Sequence, residues 1–319
     1  AAALPGVLIE PVLTAHPTEA KRPTILQIHR QLYLHLVALE NQMWTPAERT
    51  EIRRQLRATL ERLWRTGEIF QRRPDVALEA QNVIYYLREV FPGVLRVLDL
   101  HLREAWREVG FDPALVEDPE QLPRLRFGSW VGGDRDGHPL VTPDVTLTTL
   151  THLRSAAFGL VGDHLRELEA RMSLAAIYQR PPDLLTTRLA ELRRLLAPDD
   201  LLHHDPIPDE PWREFVQLLR AALDARADDR PSPLAHAADL AAELRRLRLS
   251  LVEVGATRLA RAYVVPVERI VSTFGFHLAR LDIRQNSAVH DLAIEQLLAS
   301  AGLPDVHFSS WPEERRVAF

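Results

Sequence analysis

Val7-Leu8-Ile9-Glu10-Pro11-Val12-Leu13-Thr14 is an apolar run rich in β-branched residues, and it leads into His16-Pro17-Thr18-Glu19 and the cations Lys21 and Arg22. Its composition and length predict a buried strand that feeds a turn, so His16 stands at the carboxyl end of a strand. Pro17 and Pro23 suit the first turn of a helix, where the missing proline N–H would be an orphan in any case. Lys21 and Arg22 then sit at a helix N-terminus, against the macrodipole, a placement that an anion among them would relieve. The plain alternative is solvated cations and a hydrogen-bonded histidine.

The chain of 319 residues is long enough for a large core. With 46% hydrophobic and 26% charged residues it reads as a soluble globular protein. No uncharged apolar stretch approaches the roughly 18 residues of a membrane span, so no membrane partner is expected. The segment Ala1-Ala2-Ala3-Leu4-Pro5 lacks the basic region of a signal peptide. The absence of cysteine excludes disulfides, thiolate catalysis and cysteine-ligated metals, and fits the cytoplasm. A net charge of −5 gives no general basic field, so a nucleic-acid partner is not expected.

Most of the chain carries helical periodicity. Apolar residues recur at three- and four-residue spacing over 25–43, 47–69 and 77–109, and further helices are expected over 145–177, 181–196, 211–227, 234–254 and 267–277. Pro and Asp mark the breaks, as in Asp228-Asp229-Arg230-Pro231-Ser232-Pro233. No linker divides the chain, so residues 1–319 are expected to be part of one large domain. Both ends read as cut: the last segment, Ser309 to Phe319, starts as a helix and ends on an apolar residue without a glycine cap.

Leu125-Arg126-Phe127-Gly128-Ser129-Trp130-Val131-Gly132-Gly133-Asp134-Arg135-Asp136-Gly137-His138-Pro139 is a short strand entering a loop that holds four of the chain's 13 glycines. Glycine lets backbone approach a ligand closely, and Asp134-Arg135-Asp136 can interlock as an ion-pair cluster. The structural alternative is a turn whose acids hold Arg135. The loop lacks the full acidic series of a calcium loop and the Gly-Lys-Ser/Thr ending of a P-loop.

The third segment runs from Ser272-Thr273-Phe274-Gly275 through Arg280-Leu281-Asp282-Ile283-Arg284-Gln285. Strand alternation places Arg280, Asp282 and Arg284 on one face, where Asp282 can neutralise one arginine and leave Arg284 to meet an anion at the strand end. In barrel enzymes the loops after the strands carry the chemistry, and here three strand ends present a histidine, a Gly/Asp/Arg loop and an arginine.

These three segments, in this order, resemble three successive motifs of phosphoenolpyruvate carboxylases; Leu63-Trp64-Arg65-Thr66-Gly67-Glu68-Ile69 with Arg73-Pro74 resembles a fourth, weaker block. The resemblance implies the amino-terminal half of a divergent bacterial enzyme: mainly α, built around a β/α barrel of the TIM type, with about three of the eight strands in this chain. It implies a carbon–carbon lyase that joins bicarbonate to phosphoenolpyruvate through carboxyphosphate and enolpyruvate, giving oxaloacetate and phosphate. It further implies Mg²⁺ or Mn²⁺ with ligands in the carboxyl-terminal half and none here, a cytoplasmic homotetramer, and an anaplerotic role feeding the tricarboxylic acid cycle.

By the same resemblance His16 serves the carboxylation half of the reaction and Arg284 binds the substrate phosphate. Trp130, Asp134, Arg135, Arg22 and Asp282 are the supporting site wall. Two departures stand out, Gly67 where the family usually has an acid and His138 where it often has asparagine. With the metal-binding acids expected elsewhere, the chain alone is expected to be inactive. The alternative is a stand-alone, non-catalytic derivative that binds an anionic metabolite or a protein partner.

Overall fold

The computed structural model describes residues 4–14, 23–66, 75–137, 140–201 and 209–319. Thirteen α-helices are named here: α1 (Pro23–Glu40), α2 (Pro46–Thr66), α3 (Val76–Tyr85), α4 (Phe91–Glu108), α5 (Pro143–Arg171), α6 (Asp183–Leu195), α7 (Pro198–Leu201), α8 (Pro211–Ala227), α9 (Ala237–Glu253), α10 (Thr257–Leu259), α11 (Val265–Phe274), α12 (Ser287–Ser300) and α13 (Glu313–Ala318). Five two-residue strands join them: β1 (Leu8–Ile9), β2 (Val12–Leu13), β3 (Arg124–Leu125), β4 (Gly128–Ser129) and β5 (Arg280–Leu281). The protein is mainly helical. Its strands are all parallel, β1 on β3 and, separately, β2–β4–β5 in that order.

The periodic span 77–109 is helical, but a π turn over Tyr86–Val90 divides it between α3 and α4. A second π turn, Ala260–Val264, separates α10 from α11. Each turn ends just before a proline in the next helix, Pro92 or Pro266. Proline supplies no N–H to the preceding turn and its ring crowds the carbonyl four residues back, so a wider turn ahead of it relieves the clash.

The core lies on two faces of the same helices. On one, Val161, Leu165 and Leu168 of α5 meet Trp212, Phe215 and Leu219 of α8, Leu240, Leu244 and Leu247 of α9, and Val267 and Val271 of α11. Trp212 is the largest of the fully buried side chains, and its indole N–H donates to Ser250 Oγ at 3.1 Å, so it leaves no unmet donor there. On the other face, Leu153, Ala157 and Leu160 of α5 with Ile270 and Phe274 of α11 pack on Phe127 beside the sheet. Phe127 stacks between Phe91 and Phe274, with ring centroids 4.6 and 5.4 Å away. α5 and α11 therefore tie the helical body to the strand ends.

The first strand departs from expectation. Instead of one buried strand over Val7–Thr14, pairing is split into β1 and β2 around Glu10-Pro11, and Val7, Leu8, Ile9 and Val12 are 39–46% exposed. Pro11 has no N–H to give a ladder, and pairing changes partner across it, from β3 to β4. Near the carboxyl end, Ser309 donates through N and Oγ to Glu295 instead of capping a helix, and α13 begins only at Glu313.

Candidate active site

Because β2, β4 and β5 are parallel, Thr14, Trp130 and Asp282 all follow strand ends on the same edge of the sheet. The edge is extended by backbone pairing beyond the strands. Asp282 N donates to Ser129 O at 2.8 Å, Arg284 N to Gly133 O at 2.9 Å, and Arg135 N to Arg284 O at 2.9 Å, so the 130–137 loop and the 282–284 segment are laced together. Two glycines permit the approach. Gly132 has φ +84° and a Cβ there would run into Thr149, while a Cβ on Gly133 would strike the Asp282 carbonyl.

This lacing brings Arg284 over Trp130, with Cζ 3.7 Å from the ring centroid, a cation–π contact. Arg284 is exposed, and among the described residues none of its guanidinium N–H groups meets a carboxylate or carbonyl. Trp130 is half-buried and forms the flat wall beneath it. The permanent charge therefore keeps its donors available for an oxyanion.

The acidic loop is not an ion-pair cluster. Arg135, half-buried, turns away from its neighbours and donates from Nη2 to Thr146 Oγ1 at 3.3 Å. Thr146 in turn donates to the Gly132 carbonyl at 2.8 Å, so the first turns of α5 anchor the loop. Among the described residues, the buried Arg135 Nε meets no hydrogen-bond partner. Asp134 and Asp136 instead lie beside each other. Burial, with the neighbouring Asp136 carboxylate, raises the Asp134 carboxyl above its ordinary value, against the opposing pull of Arg284 and the Gly137 N–H.

The expected alternation on β5 is corrected in the same way. The strand ends at Leu281, and Arg280 lies 3.8 Å from Glu10 rather than being neutralised by Asp282, which is exposed. The pairing of Arg284 with the loop, not a long strand, sets its direction. Trp130, Asp134, Arg135, Asp282 and Arg284 are thus gathered on one edge, with Asp282 contributing its backbone. His16 and Arg22, like Lys21, Gly67, Arg73 and His138, lie outside the described residues. Thr146 escaped the sequence reading; its only signal is its place one turn after the Thr142-Pro143 helix start.

Among the described residues no group of three or more His, Asp or Glu side chains is arranged to hold a metal ion. No helix of the described residues is long and apolar enough to cross a membrane.

Comparison with known proteins gives one family. Its model, described as phosphoenolpyruvate carboxylase, matches residues 1–319. A phosphoenolpyruvate carboxylase of Aromatoleum aromaticum is 38% identical over 307 residues, which is 92% of this chain and 32% of the relative. Those of Mycobacterium leprae and Paraburkholderia xenovorans are 34% and 32% identical, over 99% and 97% of this chain and 33% and 31% of the relatives. The chain spans about a third of the length of the curated relatives it matches, a smaller share than the half implied by the resemblance.

Proposed function

Because the chain belongs to the phosphoenolpyruvate carboxylase family, we propose that it supplies the phosphate-binding arginine and the carboxylation histidine of an enzyme converting phosphoenolpyruvate and bicarbonate to oxaloacetate and phosphate. The observation that carries this reading is Arg284, uncompensated by any carboxylate ion pair among the described residues and held flat on Trp130 at the carboxyl edge of a parallel sheet.

In the proposed reaction a bicarbonate oxygen attacks the substrate phosphorus, the bond to the enol oxygen breaks, and carboxyphosphate and the enolate of pyruvate form. Arg284 holds the phosphoryl oxygens while charge redistributes over them, a task suited to its planar, always-charged fork. His16 takes the proton of carboxyphosphate, which releases CO₂ and phosphate, and the enolate carbon then attacks CO₂ to give oxaloacetate. Trp130 orients Arg284, and Arg135 fastens the loop to α5. Asp134, Asp282 and Arg22 belong to the supporting wall.

Mg²⁺ or Mn²⁺ would supply charge neutralisation at the phosphoryl group and enolate. The described residues do not fit such an ion, so its ligands are assigned outside them and no step is routed through it. The parallel strands followed by helices support reading the sheet as a sector of a β/α barrel within one large domain. Family membership supports a cytoplasmic homotetramer with an anaplerotic role, inactive in the absence of the metal-binding acids.

The test is His16→Asn in a complete enzyme. Oxaloacetate formation is expected to fall more than bicarbonate-dependent phosphate release, since only the second half-reaction loses its base. Equal loss of both would remove His16 from carboxylation.

A further inference from the structure

Arg284 is held on both sides of its own backbone by one loop: its N–H donates to the Gly133 carbonyl and its carbonyl accepts from the Arg135 N–H, each at 2.9 Å. Two residues of that same stretch, Gly132 and Arg135, meet the side-chain hydroxyl of Thr146 on α5, which is 4% exposed. The bonds close a ring. It runs from Thr146 to Gly132, along the chain to Gly133, across to Arg284, back to Arg135 and through its guanidinium to Thr146 again. Thr146 is the one member of the ring that belongs to a helix of the body.

The bonding of the hydroxyl has a fixed sense. A guanidinium only donates, so the hydroxyl accepts from Arg135 Nη2 and keeps its single proton for a carbonyl. Two carbonyls compete for that proton, Gly132 at 2.8 Å and Thr142, one turn back along the helix, at 3.3 Å, and the shorter bond goes to the loop. One buried hydroxyl thus grips the loop twice, at the main chain of Gly132 and at the side chain of Arg135. The loop has little else to fix it. Gly132 accepts its φ of +84° without strain but does not enforce it, because glycine populates many other conformations, and Arg135 makes no second side-chain hydrogen bond among the described residues.

We propose that Thr146 is a positioning residue for phosphate recognition: through the Gly132–Arg135 loop it sets the height and direction of Arg284 above the sheet, and, being buried, it touches no substrate itself. The proposal rests on the reading of Arg284 as the phosphate-binding arginine.

Steady-state kinetics of a complete enzyme carrying this chain test it, with the variants Thr146→Val, Thr146→Ser, Arg284→Gln and the double variant Thr146→Val/Arg284→Gln. Valine keeps the shape and removes the hydroxyl, leaving the Gly132 carbonyl and Arg135 Nη2 unmatched, so the KM for phosphoenolpyruvate is expected to rise about fivefold. Over the same change kcat should move by less than about twofold, since Arg284 itself remains. Thr146→Ser retains the hydroxyl and should keep KM within about twofold of the parent. In the Arg284→Gln background Thr146→Val should raise KM no further, because it acts through the arginine that has been removed. A hydroxyl with a merely structural role would reduce the amount of folded enzyme, which lowers the apparent kcat and leaves KM alone. KM does not depend on enzyme concentration, so it stays readable when part of the protein misfolds, and Thr146→Ala gives the same comparison where valine folds poorly. An unchanged KM in the variants lacking the hydroxyl, a serine variant as weak as the valine one, or a full effect of Thr146→Val on top of Arg284→Gln would overturn the proposal. An unchanged KM in Arg284→Gln alone would overturn the phosphate role of Arg284 and this proposal with it, whereas a raised KM there beside an unchanged one in Thr146→Val overturns this proposal only.

Discussion

Arg269 and Arg284 flank the end of α11, one inside the helix and one beyond it, and they use the same guanidinium in opposite ways. Arg269 is 6% exposed, takes both oxygens of Asp99 in a bidentate pair and donates a further bond to the Pro123 carbonyl at 3.3 Å. Arg284 is exposed, meets no carboxylate among the described residues and rests on an aromatic face. A buried cation must be saturated by the protein, because an unpaired charge there is far costlier than the pair is favourable. A cation whose donors are left over has been saved for something else, and its π support holds it in place without consuming them.

The sharpest way to break this contrast is to remove each partner in turn. Asp99→Ala leaves Arg269 buried without its counter-ion and should destabilise the fold by about 3–5 kcal/mol. Arg284→Gln should change stability by no more than about 0.5 kcal/mol, as for an exposed residue outside any buried network. Urea unfolding of both variants reads the difference. Comparable destabilisation by the two would mean that Arg284 is structural after all.

Between these extremes stands Glu268, the neighbour of Arg269 on α11. It pairs with Arg248 at 2.9 Å, yet burial, assisted by Asp118 and Glu120, outweighs that partner and pushes its pKa up to about 7 from 4.5. Here the pairing is incomplete in energetic terms. Below pH 4.5 the carboxyl is protonated in both folded and unfolded chains and contributes nothing to the pH dependence. As pH rises from 4.5 towards 7, the unfolded chain ionises first, so stability falls by up to about 3 kcal/mol and then levels off. Glu268→Gln should flatten that part of the stability-versus-pH curve, measured by urea unfolding from pH 4.5 to 8. An unchanged slope would show that Arg248 already compensates the charge.

The helical body was largely legible in the sequence, because its periods are set by local geometry. α8 has the expected bounds, and α6 differs from expectation only at its ends. The π turns were not legible, although Pro92 and Pro266 marked where the ladder would need relief. The apolar run over Val7–Thr14 read as one buried strand because its composition is indistinguishable from one; Pro11 is the residue that argues for the break into two pairings. At the site, the second and third segments that the residue types singled out meet on one edge of the sheet. The partners did not follow. Charge alternation suggested Asp282 for an arginine and the loop acids for Arg135, whereas the fold supplies Glu10, Thr146 and Trp130, choices set by long-range packing. The Asp99–Arg269 pair spans 170 positions and had no local signal at all.

The contact between Trp130 and Arg284 sets the finest test of the comparison. If the ring orients the arginine without sharing in the chemistry of the phosphate, Trp130→Leu should keep every donor of Arg284 and lose only the cation–π term, about 0.5–1 kcal/mol for an exposed pair. In a complete enzyme that is a loss of up to about fivefold in affinity for phosphoenolpyruvate, against a loss of about tenfold or more for Arg284→Gln, which would remove the proposed charge-assisted hydrogen bonds to the phosphate. Trp130→Phe should recover part of the affinity, because it restores a π face of weaker quadrupole at the same height above the sheet. A leucine variant as weak as Arg284→Gln would mean that Arg284 depends on the ring for its whole orientation, and that the backbone lacing through Gly133 and Arg135 does not by itself fix the side chain.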